Sequence, residues 1–230
     1  MASPITDTAS LRAAVRSWIN RTPAPTDAEI DQAILQAETL LNETLRSRHN
    51  RTSTTFNIGY NNVFGLTIPN DYLELLDATV DGTWRLDDTN TLVEEGTPGP
   101  SLQPVPYRTF VNLFPAPGYR SGAPFYYTEL PDGAAWQFSP SAKGYRVRMW
   151  YYARLASLLD NTVNRLLTAE PSAYLSGVMS YLETFYRIPQ ERRGPWGQMF
   201  SGVVNSLNES MRKSLLSGGS MRARNPYGNW

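Results

Sequence analysis

Cysteine is absent from the 230 residues, which removes disulfides, zinc–thiolate sites and cysteine nucleophiles together. Histidine is nearly absent. His49 is the only one, so any Ser-His-Asp triad or imidazole metal site would need it. Nothing near it resembles a nucleophile elbow, and it reads as a solvated side chain at the polar end of a helix. Net charge is missing too: Lys+Arg and Asp+Glu both total 21. Proteins that hold nucleic acid by its phosphates carry a basic excess, so the balance argues against dominant, sequence-reading DNA binding. Charged residues are only 18% of the chain, below the roughly 25% of soluble domains, which suits a surface covered by partners. No run approaches the roughly 18 apolar residues of a spanning helix, and the first seven residues carry neither a basic nor an apolar signal region. No membrane partner, metal or cofactor is expected. Gly194-Pro-Trp-Gly197 and Gly218-Gly-Ser220 lack the Lys-Ser/Thr of a phosphate loop.

Periodicity places helices at both ends. Residues 8–20, capped by Asp7 or Thr8, put Leu11, Ala14, Val15, Trp18 and Ile19 on one face. Thr26 followed by Glu29 makes a capping box, and Ile30, Ala33, Ile34, Ala37, Leu40, Leu41 and Leu45 form an apolar stripe behind it. Near the other end, 161–167 predicts a short helical turn. Pro171 opens a helix at a first position, with Tyr174, Leu175, Val178, Met179, Leu182 and Phe185 inside. Pro189 opens the last helix, with a kink or restart at 194–197. It carries Phe200, Val203, Val204, Leu207, Met211 and Leu215 to the Gly218-Gly219 stop.

The middle is β-rich. Strands are predicted at 52–58, 63–68, 75–80, 83–86, 125–130, 134–138 and 145–152, with a type I′ hairpin turn at Asp81-Gly82. Prolines and glycines crowd residues 96–124, which predicts a long loop. In the last strand Tyr145, Val147, Met149 and Tyr151 face one way. The run Trp150-Tyr151-Tyr152 fits either a buried strand face or an interface. Strands and helices do not alternate, so the fold class is α+β. A helical bundle of 1–50 and 155–217 carries a β-rich insertion at 51–154, followed by an extended arm at 218–230.

Two segments stand out as functional. From Ser210 on, Arg212, Lys213, Arg222 and Arg224 occur without an acid, and the chain ends in Asn225-Pro-Tyr-Gly-Asn-Trp230. Arg, Tyr and Trp dominate binding hot spots, so a Gly-Gly hinge followed by Arg222, Arg224, Tyr227 and Trp230 reads as a docking arm. The 96–124 loop offers Tyr107, Phe110, Phe114 and Tyr119 as a second contact. Catalysis would need a carboxylate pair. Asp87/Asp88 and Glu94/Glu95 are the candidates, and clustered acids of this kind are most often solvated.

The order of these pieces resembles the head-to-tail adaptor, or connector, proteins of short-tailed and related tailed bacteriophages. The resemblance runs over about 8–217. It is carried by Leu11-Arg-Ala-Ala-Val-Arg-Ser-Trp-Ile-Asn20, Thr26-Asp-Ala-Glu-Ile30, Leu66-Thr-Ile-Pro-Asn-Asp-Tyr-Leu-Glu-Leu75 with Val80-Asp-Gly82, and Arg148-Met-Trp-Tyr-Tyr-Ala-Arg154. Asn164-Arg-Leu-Leu167 and Pro171-Ser-Ala-Tyr-Leu-Ser-Gly177 complete it. It implies a structural virion protein in the head–tail neck, made in the host cytoplasm. Twelve copies would form a homo-oligomeric ring below the portal. The arm would grip the portal protein, the β-rich part would face the tail nozzle or tube, and DNA would pass through the lumen without specific binding. The alternatives are a nozzle or tube subunit, or a phage cell-wall hydrolase using a carboxylate pair.

Overall fold

The computed structural model describes residues 4–19, 23–58, 66–86, 92–95, 99, 101–115, 123–139 and 145–217. It is α+β, with helices at both ends and antiparallel sheets between. The chain divides into two compact units: Met1–Asn50 with Arg154–Trp230, and Arg51–Ala153.

The first unit is built around α5 (Pro171–Phe185), whose Ala173, Tyr174, Val178, Met179 and Leu182 are all buried. Pro171 opens it at the first position, where its missing N–H costs nothing. Packed against it are α1 (Thr8–Ile19), α2 (Asp27–Thr44), α4 (Arg165–Ala169) and α6 (Trp196–Ser217). The predicted capping box is present: the Glu29 N–H donates to Thr26 Oγ1, and the Thr26 N–H to Glu29 Oε2 at 2.8 Å. Asp7 caps α1, accepting from the Ser10 N–H at 2.7 Å. Gly177 lets three helices meet, since a Cβ there would stand 3.1 Å from both Ala37 Cβ and the Phe200 ring.

The segment that returns from the second unit is stitched to these helices by buried polar groups. Glu38 lies in the apolar stripe of α2 and is 5% exposed. Its carboxylate accepts the Leu158 N–H at 2.7 Å, and Asn42 accepts that of Leu155 at 2.8 Å. Thr8 donates to the carbonyls of Leu158 and Thr162. Asn164 caps α4 through the Leu167 N–H, and its amide donates to the Ala156 carbonyl and the Tyr174 hydroxyl. The predicted turn at 161–167 is thus displaced: Asn164 is the cap, and the helix lies after it.

The second unit is two sheets face to face. One has the order β1-β8-β3-β4, from β1 (Arg51–Ile58), β8 (Tyr145–Ala153), β3 (Tyr72–Leu86) and β4 (Leu92–Glu95). The other runs β2-β7-β6-β5, from β2 (Leu66–Thr67), β7 (Ala135–Ser139), β6 (Tyr126–Glu129) and β5 (Gln103–Pro104). Leu66, Ala78, Val80, Leu102, Trp136, Val147 and Met149 fill the space between them. Trp136 is fully buried, edge-on to Phe56 and Tyr72. Tyr151 and Tyr152 are each 4% exposed, so that pair belongs to the core rather than to an interface.

Three sequence expectations fail for physical reasons. Asp81-Gly82 is no hairpin turn: β3 runs through it, and the register against β8 slips between Val80 and Gly82. Gly82 supplies its positive φ of 132° to a β-bulge instead. Asp81 is held on the sheet by ion pairs to Arg146 at 3.1 Å and Arg148 at 2.8 Å. The proline-rich stretch contains a helix, α3 (Tyr107–Leu113), in the proline-free gap between Pro106 and Pro115. Periodicity also overstates three stripes, because Trp18 is 56%, Leu40 46% and Phe185 50% exposed. The 190–192 turn is a separate 3-10 helix, and α6 restarts at Trp196. The segments 59–65, 87–91 and 218–230, with the predicted arm, lie outside the described residues.

Burial raises the Glu38 carboxyl above the ordinary glutamate value of 4.5, against the lowering by its bonds from Leu158 and Ser157. A raised folded pKa gives stability that is full below the unfolded pKa and declines as pH rises through the folded one. Urea resistance is therefore expected to fall as pH rises from 4.5 toward neutrality. Glu38→Gln keeps an acceptor for Leu158 and should flatten that profile; equal slopes in the two proteins would disprove it.

Candidate partner-binding surfaces

Within the 96–124 stretch, residues 103–105 are held by pairing with a strand. The Gln103 N–H donates to the Phe125 carbonyl and the Val105 N–H to that of Tyr127, clamping β5 beside β6 in parallel. Pro106 then precedes α3, where its fixed φ suits a helix entry. The inner side of α3 is aromatic: Phe110 is 2% exposed, lies 5.3 Å from the Phe114 ring, and Phe114 lies 5.9 Å from Tyr126. Around it Tyr107, Val111, Leu113 and Phe125 are exposed. Of the four residues singled out in sequence, Tyr107 is thus on the surface, Phe110 is buried and Phe114 half-buried, and Tyr119 lies outside the described residues. Val111, Leu113 and Phe125 were missed. Recognising a helix between the two prolines would have divided the inner from the outer set.

The helical unit exposes apolar side chains on more than one helix. Trp18 stands edge-on to Trp196 at 5.5 Å, and Met199 follows one turn along α6. Phe185 stacks on Tyr181 and meets Tyr186. Leu35 and Leu40 are exposed on α2. His49 is not the solvated side chain expected from sequence. It is half-buried beside Val163, Arg165 and Thr168 in a cleft of about 550 Å³. Its Nε2 is buried without a hydrogen-bond partner. Burial lowers its pKa, Arg48 adds to this, and Glu170 opposes it.

Titratable groups in the interior serve structure. Glu38 is occupied by the Leu158 N–H. Burial raises Asp77, which accepts the Ala78 N–H at 2.8 Å. Burial likewise pushes the hydroxyls of Tyr72, Tyr127 and Tyr151 up to about 12, so they remain donors near neutrality. Tyr72 donates to Glu129 and Tyr151 to Asp71. Glu94 and Glu95 sit on β4 opposite Trp84 and Thr83. Their side chains, Asp87 and Asp88, and Arg222, Arg224, Tyr227 and Trp230 all lie outside the description. Among the described residues no three His, Asp or Glu side chains gather as metal ligands, and no helix is long and apolar enough to cross a membrane.

The two units have separate cores, and apolar side chains are exposed on α1, α2, α5 and α6. The family model of the SU10 adaptor protein matches residues 6–224, nearly the whole chain, and the chain belongs to that family. It is a structural adaptor protein of a phage, and so a virion component with portal and tail proteins as its kind of partner. No curated protein matches it.

The two sides of α3 separate support from contact. Phe110→Ala should cost about 3–5 kcal/mol by opening a void beneath the helix. Val111→Ser and Leu113→Ser should each stay within about 0.5 kcal/mol. Urea midpoints measure this, and equal losses at all three would mean that the outer side is not free.

Proposed function

We propose that this chain is the repeating subunit of the ring that joins the portal to the tail in the head–tail neck and provides a passage for DNA without binding it specifically. The observation that carries the reading is the adaptor-family match over residues 6–224. Twelve copies are the number the family resemblance implies. In a ring of more than two copies, neighbours meet through unlike surfaces. Such heterologous contacts close into rings when the rotation permits. A net charge of zero suits a lumen through which DNA must slide.

In this reading the segment 218–230 grips the portal. Arg222, Arg224, Tyr227 and Trp230 supply hot-spot chemistry. The outer side of α3, with Tyr107, Val111 and Leu113, faces the nozzle or tube.

Light scattering on the purified protein, alone and with portal rings, tests this. Co-migration at a mass requiring many copies per portal is expected. A monomer that ignores the portal would overturn the reading. Deletion of 219–230 should abolish portal binding with an unchanged urea midpoint, and retained binding would remove the arm from the account.

A further inference from the structure

The end of α5 carries a residue that its backbone does not favour. The Arg187 N–H donates to the Thr184 carbonyl at 3.0 Å, and the Ile188 N–H to that of Glu183 at 3.0 Å. These two bonds close a Schellman motif, in which the residue after the cap turns left-handed and glycine is the usual occupant. Arg187 holds that position at φ 52°, the one non-glycine residue with positive φ among those described. A left-handed backbone is costly for any residue with a Cβ, and strain of this kind gathers where a side chain clamps a ligand or a partner.

The arginine joins a corner with the chemistry of a contact. Phe185 is 50% exposed, stacked on Tyr181 and edge-on to Tyr186. Arg193 is drawn to the same corner, its Nε donating to the Ile188 carbonyl at 2.8 Å, and Arg192 precedes it. All three arginines are exposed, and none has an ion pair among the described residues. Between residues 181 and 198 the acids are Glu183 and Glu191. Glu183 is buried and accepts the Gly194 N–H, so Glu191 is the one exposed acid of the corner. An exposed aromatic ring among guanidinium groups is the composition of a binding hot spot.

The β unit offers the complement. Two turns meet at one end of the β2-β7-β6-β5 sheet, where the Ile68 N–H donates to the Ala134 carbonyl at 3.0 Å just beyond the β2–β7 pairing. One is Pro69-Asn70-Asp71 and the other Pro131-Asp132-Gly133. Glu129 lies beside the second, its Oε1 3.8 Å from where a Cβ on Gly133 would stand. Asp71, Glu129 and Asp132 are exposed and bound by neutral donors: the Tyr151 hydroxyl at 3.0 Å, the Tyr72 hydroxyl at 3.4 Å and the Ala134 N–H at 3.0 Å. None of the three has an ion pair among the described residues. No lysine or arginine occurs in 66–75 or 123–139. Pro131 is exposed among these carboxylates and gives a ring something apolar to lie on.

We propose that the Phe185 corner of one copy seats on this rim of the next, the Phe185 ring against Pro131 and the guanidinium groups of Arg187 and Arg193 among Asp71, Glu129 and Asp132. The occupant of the corner is a second copy of this chain, because the rim matches it in sign and supplies the apolar group. The ring gives the contact its buried area, and the charges fix its orientation at close range. Corner and rim are unlike surfaces, as a ring of many copies requires. The proposal rests on the ring reading above, whose failure the test separates from its own.

The absence of cysteine gives a clean readout. Full-length Thr184→Cys and Ala134→Cys proteins, both changed at exposed residues beside the contact, are mixed and treated with a short bis-maleimide, alone and with portal rings. The mixture should give covalent dimers, each variant alone should stay monomeric on the gel, and T184C/A134C should give a ladder. Dimers from one variant alone would mean that like surfaces meet, and would overturn the proposal. Cross-linking only within one chain would overturn it too. Rings seen by light scattering without cross-links between copies would overturn it while leaving the ring reading intact. No oligomer under any condition would overturn both. Charge reversal adds a second measure. R187E/R193E and E129K/D132K, each alone, should associate at least about tenfold more weakly. Their equimolar mixture should recover, since every corner then meets a rim of opposite sign. No recovery, with urea midpoints showing both proteins folded, would refute the pairing. Loss of portal binding by R187E/R193E with ring formation intact would assign the corner to the portal instead. Arg187→Gly isolates the strained residue: the urea midpoint should rise while association weakens about fivefold. Unchanged association would remove Arg187 from the contact.

Discussion

The bond from the Leu158 N–H to the Glu38 carboxylate fixes how the chain re-enters its own helical unit. A segment returning after a hundred-residue excursion has no sequence-local reason to stop at a particular turn of α2. Apolar packing is not directional, so Leu155 and Leu158 alone would tolerate a slide along the stripe. A buried acceptor on α2 tolerates none, because a displaced segment would leave both a carboxylate and a peptide N–H without partners in a poorly solvated site. Asn42, one turn along, takes the Leu155 N–H and sets a second point. Thr8 holds the far end of the same segment to α1. Two excursions of the chain are thereby registered against each other before α4 and α5 begin. The Asn164 side chain then carries the register to Tyr174 on the central helix.

Much of this fold was legible in residues that act locally. Thr26 and Glu29 announce a helix start because each satisfies a donor of the other, whatever surrounds them. Pro171 does so because of its own ring. The alternation from Tyr145 to Tyr151 is a property of the pleat. Asp81-Gly82 misled because the same pair serves a tight turn or a bulge. The choice is made by Arg146 and Arg148 on β8, which are distant in sequence and give Asp81 a place on the sheet. Proline density misled in the opposite sense, since what matters for a helix is the gap between prolines, and eight residues separate Pro106 from Pro115.

The contact surfaces were legible as composition rather than as position. Tyr, Trp and Phe abundance signals interfaces, yet the same rings fill cores. Tyr151, Tyr152 and Phe110 went inward, while Trp18, Phe185 and Leu113 stayed outside. Glu38 and Asn42 were overlooked for the converse reason. They stand four residues apart inside an apolar stripe, a spacing that places both on one line of α2 facing the interior. Polar residues at such positions require partners from elsewhere in the chain, and the sequence does not say which.

The zero net charge is built in part from local pairs rather than from opposed ends. In the β unit Arg146 and Arg148 on β8 both meet Asp81 on β3. In the helical unit Arg12 meets Asp31 and Arg16 meets Asp27. Salt screens charges beyond roughly 10 Å at 0.1 M ionic strength, and these pairs lie well inside that distance. Charges engaged in this way hold each unit together and leave little field for long-range steering, so the described surface offers a partner its exposed apolar side chains, such as Trp18, Phe185 and Leu113, more than its charge.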